Sequence, residues 1–311
     1  MTSLICGSVA YDTIMSFEGR FSEALLADQL HKINVAFLVP SIRREFGGCA
    51  GNIAYNLKLL GGDPLIMATI GMDGAPYQAR LAKLGISNRC IHDIADAFTA
   101  QAFITTDAAN NQITAFHPGA MTVSHQVKVA EAGAVKVAII APDGRDGMLQ
   151  HAAQCAELQI PFIFDPGQGL PMFSGPELLH FIELATYVAV NDYEASLLAE
   201  RTGLGIEQLA QRVQALVVTR GEQGAEIHVD GTRIDIPVVP ATQIVDPTGC
   251  GDAFRAGMLF GLTNEMDWST IGRLSSLMGS IKIAHQGGQN HLLTKDEIDQ
   301  RFMQAFGYRL N

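Results

Sequence analysis

Cysteine is scarce in this 311-residue chain. The five present, Cys6, Cys49, Cys90, Cys155 and Cys250, are scattered, odd in number and form no CxxC pair. That pattern fits reduced thiols and excludes a disulfide scaffold or a zinc site built on paired cysteines. The nine histidines contain no HExxH and no cluster at ligand spacing. Positive charge is also short: Lys and Arg number 21 against 32 Asp and Glu, for a net charge of −11. With no basic tract, a nucleic-acid partner is not expected, although a basic pocket within an acidic protein is compatible with these numbers. No apolar run approaches the ~18 residues of a membrane span. The opening MTSLICGSVAYD lacks a basic region and reaches Asp12 too soon for a signal peptide. The expectation is a soluble cytoplasmic protein with no membrane partner. No GK[ST] occurs after a glycine turn, so a Walker A loop is excluded.

What is present is a globular composition. Hydrophobic residues make up 48% and charged residues 17%, which argues against disorder. The length allows one large α/β domain with a sizeable core. Strand-like runs at 4–10, 64–71, 135–142, 161–166, 187–192 and 215–221 alternate with helix-like segments at 50–60, 77–84, 147–158, 252–262 and 268–285. That alternation predicts an α/β fold, a mostly parallel sheet covered by helices on both faces. Ligands bind such sheets at the carboxyl ends of the strands, and Asp12, Asp165 and Asn191 are expected just after strands. Two segments break the rhythm. HKINVAFLVPSIRREF (31–46) reads as one or two strands, and AFITTDAANNQITAFHP (102–118) reads as a hairpin. They are expected either as a small β-sheet lid, with inserted segments at about 13–46 and 98–121 of a single domain spanning 1–311, or as ordinary edge strands of the main sheet.

Residues 246–257 read DPTGCGDAFRAG. A glycine-rich turn that opens a helix offers unpaired N–H groups and a partial positive charge to an anion, and Asp252 would stand beside it. Asp is also a good helix starter, and glycine turns precede many helices, so the segment alone leaves both readings open. A second glycine segment, FGGCAGNIAYNLKLLG (46–61), places Asn52 at another helix start, as a ligand donor or as a local cap.

These two segments, about 200 residues apart, with NDYE (191–194) and TRGEQG (219–224) between them, resemble the ribokinase (PfkB) family of carbohydrate and nucleoside kinases. Within it, GRFSE (19–23), HKINVAFLV (31–39), FHPGAM (116–121) and DPTGCGDAFRAG are most similar to bacterial ribokinase-like adenosine kinases. The resemblance implies an ATP- and Mg²⁺-dependent transfer to the 5′-hydroxyl of a purine nucleoside, adenosine first. A sugar kinase and a non-catalytic nucleoside- or sugar-binding regulator are the alternatives. It implies Asp252 as general base and Gly249, Cys250 and Gly251 as anion hole. Ser8, Asp12, Gly47, Gly48, Asn52, Phe116 and Gln168 would form the acceptor side. Asn191, Thr219, Gly221, Gly224 and Gly251 would flank ATP, and Asn191 and Glu194 would hold Mg²⁺ through water. K⁺ is an added candidate cofactor, with Asp246 as its neighbour or merely part of the turn. A homodimer through the lid is a further expectation.

Three departures stand out. Cys250 replaces a usual Ala and is either an inert small residue or a thiol with a lowered pKa. Ala102 stands where an aromatic could stack on a base, and Phe103, one place later, would point to the other strand face. The segment after the 161–166 strand reads GQGLPMF, without the second Gln and the Arg of the related adenosine kinases. Arg255 could face phosphate or support the fold. His117 reads as a surface residue of the hairpin or as part of the acceptor pocket.

Overall fold

The computed structural model describes residues 1–24, 35–109 and 111–310. Along the chain the elements are β1 (Thr2–Cys6), β2 (Ala10–Ser16), α1 (Phe21–Ala24), β3 (Ser41–Gly47), α2 (Cys49–Leu59), β4 (Asp63–Gly71), α3 (Ala75–Lys83), β5 (Ser87–Ile94), β6 (Ala100–Thr106), β7 (Gln112–His117), β8 (Val137–Ile140), α4 (Arg145–Glu157), β9 (Phe162–Phe164), α5 (Gly175–Leu184), β10 (Tyr187–Asn191), α6 (Asp192–Thr202), α7 (Ile206–Ala210), β11 (Ala215–Thr219), β12 (Ala225–Val229), β13 (Thr232–Ile236), α8 (Cys250–Thr263), α9 (Trp268–Ile283) and α10 (Lys295–Phe306).

Among the described residues nine strands form one sheet, in the order β13-β12-β11-β10-β9-β8-β1-β4-β5. The pairings from β5 to β11 are parallel, and β12 and β13 close the far edge antiparallel. Alternate residues of the apolar runs feed two cores. Ile5, Ile66 and Ile139 pack with Ile53 of α2 and Leu259 of α8 on one face. Leu4, Ala138, Ile140 and Phe164 pack with Met148 of α4 and Phe181 of α5 on the other. Helices on both faces are why these strands read as continuous apolar runs rather than as alternating ones.

The second sheet has the order β3-β2-β6-β7. The two irregular segments therefore build a separate small sheet and do not extend the main one. Of the segment 31–46, β3 supplies the strand at its end, and residues 31–34 lie outside the described residues. The expected hairpin forms: β6 and β7 pair antiparallel, with Thr106 opposite Gln112. The Asp107 carboxylate ties the turn by accepting the N–H groups of Ala109 and Asn111.

One expected strand is divided. The run 4–10 stops at Cys6, and the chain then crosses between sheets. The crossing is held by Gly7 N–H on the Met67 carbonyl and Ser8 N–H on the Pro142 carbonyl. Asp12 consequently lies inside β2 of the small sheet, and the expectation that it directly follows a main-sheet strand is corrected. The β12–β13 hairpin carried a readable signal in its Asp230-Gly231 pair: both residues have positive φ, 50° and 69°, as a two-residue turn between twisted strands requires.

Candidate active site

β1 pairs with β4 on one side and β8 on the other, so the strand order reverses there and a crevice opens at the carboxyl ends. The start of α8 faces this crevice. Gly249 caps the helix with φ 79°, a left-handed conformation that glycine adopts without steric cost. The N–H of Cys250 is already donated to the Pro247 carbonyl at 3.1 Å. Of the expected anion hole, this N–H is therefore already engaged within the turn. The N–H groups left without an acceptor among the described residues are those of Gly249, Gly251 and Asp252, and the space beside Gly251 is open. The Cys250 thiol is pushed up to about 11, chiefly by burial. Its neighbourhood favours the inert small residue over an activated thiol.

Asp252 sits half-buried on the first turn of α8. Its Oδ2 accepts Asn52 Nδ2 at 2.8 Å, and Asn52 Oδ1 accepts Gln289 Nε2 at 3.1 Å. Both ends of the Asn52 amide thus act on the protein, and the side chain orients Asp252. Burial pushes the Asp252 carboxyl up to about 7; the Asn52 hydrogen bond and Arg255 oppose the rise, while Asp165 and Asp12 add to it. Arg255, one turn further along α8, grips Asp165 after β9 in a two-pronged pair, Nε to Oδ2 and Nη2 to Oδ1, both 3.1 Å. Both side chains are buried. Arg255 therefore fastens α8 to the end of β9.

The small sheet supplies the opposite wall. Its register sets Glu45, Asp12, Ala102 and Phe116 in one cross-strand row. Phe103 pairs with Thr13 and Ala115, and His117 with Gln101, on the other face. Phe103 does not replace the aromatic missing at Ala102, whereas Phe116, directly opposite Ala102, shares Asp12's face and is exposed. A β-carbon at position 47 would lie 2.4 Å from Asp12 Oδ2, so only glycine leaves this carboxylate in place. Burial, Asp246 and Glu45 raise the Asp12 carboxyl to about 6. Gly48, with φ 83°, caps α2, and Ser8 Oγ accepts the Cys49 N–H at 3.2 Å.

Asn191 and Glu194 form a capping box on α6: Asn191 Oδ1 accepts the Glu194 N–H, and Glu194 Oε2 accepts the Asn191 N–H. Burial and Asp165 raise the Glu194 carboxyl, against Arg255. Thr219 ends β11, and Gly221 and Gly224, both with positive φ, bound the following turn. A β-carbon on Gly224 would lie 2.1 Å from the Ile236 carbonyl oxygen. Gln168 is exposed on the turn after β9. Among the described residues no three His, Cys, Asp or Glu side chains converge as a metal cage. The donors present suit a hydrated Mg²⁺ carried on nucleotide phosphates, the usual habit of that ion.

Gln289 and Lys282 had no signal in the sequence. Lys282 Nζ, fully buried, donates to the Asp246 carbonyl at 2.7 Å and the His285 carbonyl at 2.9 Å. A cleft of about 440 Å³ beside Gln211, Gln214, Asp230 and Trp268 lies at the amino end of β11, away from all of these groups.

A doubly covered sheet whose reversal point faces an open helix start and a carboxylate, walled by a small separate sheet, is the ribokinase-like architecture. The chain belongs to the pfkB family of carbohydrate kinases, whose model matches residues 10–295. It is a phosphotransferase with an alcohol group as acceptor. The nucleoside kinase of Burkholderia thailandensis, solved in complex with inosine, is 57% identical, with a TM-score of 0.90 over 99% of each chain. Its ADP-inosine complex aligns at 58% identity and a TM-score of 0.88, over 99% of this chain and 97% of that one. The nucleoside kinase of Methanocaldococcus jannaschii is 30% identical over 304 residues, 97% of both chains. A ribokinase from Thermotoga maritima, 18% identical with a TM-score of 0.80 over 97% of this chain and 99% of that one, shares the fold.

Proposed function

We propose that this kinase transfers the terminal phosphoryl group of ATP to the 5′-hydroxyl of a purine nucleoside. The observation that carries the acceptor class is the 57% identity, over 99% of both chains, to a nucleoside kinase whose structure holds inosine. The ADP-inosine complex of that protein supports an adenine nucleotide as donor.

In this reading Asp252, held by Asn52, takes the hydroxyl proton as transfer proceeds. Its carboxyl at about 7 is a better base near neutral pH than an ordinary carboxylate. The free N–H groups of Gly249, Gly251 and Asp252 receive the charge that develops on the transferring group. Asp12 accepts two hydrogen bonds from the ribose diol, and Gly47 and Gly48 keep that carboxylate and the turn beside it in place. Mg²⁺, when bound, neutralises phosphate charge, and Asn191 and Glu194 order the water around it. Thr219, Gly221 and Gly224 flank the nucleotide. Phe116 offers a π-face to the base. Stacking does not distinguish an amino from an oxo group, and the exposed Gln168 amide carries both a donor and an acceptor. Adenosine and inosine are therefore both acceptors. The small sheet closes over the acceptor as a lid. Its opposite face, where Ile42, Phe103 and Ile113 are exposed, meets a second copy, and sedimentation velocity would read a dimer.

A phosphorylation screen across nucleosides and free sugars tests the assignment. Adenosine and inosine should exceed ribose and fructose in kcat/KM. Faster turnover of any free sugar would overturn it. Binding of a nucleoside or sugar with no ATP consumed in the presence of any acceptor would point to a non-catalytic binding protein.

A further inference from the structure

Potassium was a candidate cofactor, with Asp246 as its neighbour or merely part of the turn. The residues around Asp246 do not fit a bound cation, because the protein has put a cation of its own there. The entry to α8 and the turn that leaves α9 are stitched together: the N–H groups of Val245 and Asp246 both donate to the Ile283 carbonyl, at 2.9 and 3.1 Å. The Asp246 carboxylate accepts the N–H groups of Thr248 and Gly287, at 2.9 and 2.8 Å. Two carbonyl oxygens, of Asp246 and His285, then converge at the carboxyl end of α9, where the helix dipole is negative. Converging carbonyls of this kind suit a dehydrated monovalent cation. Here the Lys282 ammonium, reaching back from the last turn of α9, bonds to both oxygens with no surface exposed to solvent. An ammonium head is similar in size to potassium, so the place is filled.

The turn that Lys282 pins touches the chemistry at two points. Gly288 packs against Gly249, leaving 3.2 Å to where a β-carbon would stand. Gln289 holds Asn52, which holds Asp252. We propose that Lys282 is a positioning residue that acts as a tethered substitute for a monovalent cation, fixing the glycine turn of α8 and making the kinase independent of dissolved potassium. The inference rests on the kinase reading of the Asp252 site for its rate arm only.

The test compares wild type with Lys282→Ala in KCl, NH₄Cl and LiCl at equal ionic strength, reading both the melting temperature and acceptor phosphorylation. Wild type should show the same rate and the same melting temperature in K⁺ and Li⁺. Lys282→Ala in Li⁺ should lose about ten- to a hundredfold in kcat, the scale of hydrogen bonds to a charged group. K⁺ or NH₄⁺ should recover most of that loss and raise the melting temperature of the variant alone. Stimulation of wild type by K⁺ over Li⁺ would overturn the proposal, and so would a folded Lys282→Ala that no cation rescues. If Lys282→Ala does not fold in any of the salts, Lys282→Met, which keeps the apolar stem, takes its place under the same criteria. The melting arm needs no substrate, so a wrong acceptor assignment leaves it decisive.

Discussion

The start of α8 and the small sheet face each other across one crevice, and they are built in opposite ways. Around α8 the polar side chains are held by protein partners, Asp252 by Asn52, Asn52 by Gln289, Asp165 by Arg255 and Lys282 by two carbonyls, and the groups left open are backbone N–H donors of its first turn. In the small sheet every residue of β7 is exposed, and its ladder hydrogen bonds and a few contacts at its root hold it. Among those contacts, Tyr77 Oη donates to the Gly47 carbonyl, and Arg44 pairs with Asp73. Local stability follows buried contacts. The difference sets fixed charge placement on one wall against a lightly held sheet on the other, and fixed placement suits phosphoryl transfer, where positioning dominates.

The sharpest way to break the comparison is at Asp252. Asp252→Asn should lower kcat by about 10² or more, the scale of general-base catalysis, with nucleotide affinity little changed; near wild-type turnover would remove the residue from the chemistry. The pH behaviour follows the same carboxyl. A base that titrates at about 7 must be unprotonated to act, so kcat/KM should rise with pH through about 7. Stability should run the other way. A folded carboxyl that holds its proton above its unfolded value of about 4 binds the extra proton between the two. Its contribution to stability is fully present below that window and declines as pH rises towards 7. Asp252→Asn should flatten that part of the melting-temperature profile, and an unchanged slope would deny the raised pKa.

Next in size is the buried pair. Arg255→Met leaves Asp165 charged and unpaired in the interior, and loss of one partner from such a pair costs about 3–5 kcal/mol. Denaturant unfolding should show it. A change within experimental error would mean that Arg255 does not fasten α8.

The facing wall should respond in binding. Asp12→Asn should weaken the acceptor by about 1.5–3 kcal/mol, the value of hydrogen bonds to a charged group. The acceptor KM should rise while ATP affinity holds. A fall in kcat alone would place the diol elsewhere.

The smallest effect is expected on the outward face of the small sheet. Ile113→Ser should leave the stability of a single subunit within about 0.5 kcal/mol, as surface changes do, and its effect should fall on association with the second copy. Hydrogen exchange across β6 and β7 should nevertheless slow when acceptor binds. Unchanged protection at saturating acceptor would remove the lid role.

Much of this was legible before any coordinates. Local periodicity marks the apolar runs that became β4, β8, β10 and β11, and the glycine spacing of 246–257 marks the start of α8, because strands, helices and turns obey neighbour rules. The Asp230-Gly231 pair marks its hairpin by the same turn chemistry. The run 4–10 misled because apolar character continues across the crossing at Gly7, where a change of sheet leaves no mark on hydropathy. Gln289 and Lys282 could not be found by pattern, since a buried amide or amine in a helix or turn looks like any surface residue until its partners are known.

By itself, then, the sequence determined the types of the main-sheet strands and helices it marked, the doubly covered sheet and the family, all of which rest on periodicity and short motifs. Only the tertiary structure decided which groups meet. Asn52 reaches Asp252 across 200 residues, and Lys282 reaches the Asp246 carbonyl across 36. Phe116 joins Asp12 in one row through the register of three strands. Cys250 loses its N–H to Pro247 through the pitch of one turn. The physical reason is common to the first three. Convergence of loops and the register of paired strands are set by packing between distant segments, and a one-residue slip would exchange the two faces without altering any local preference.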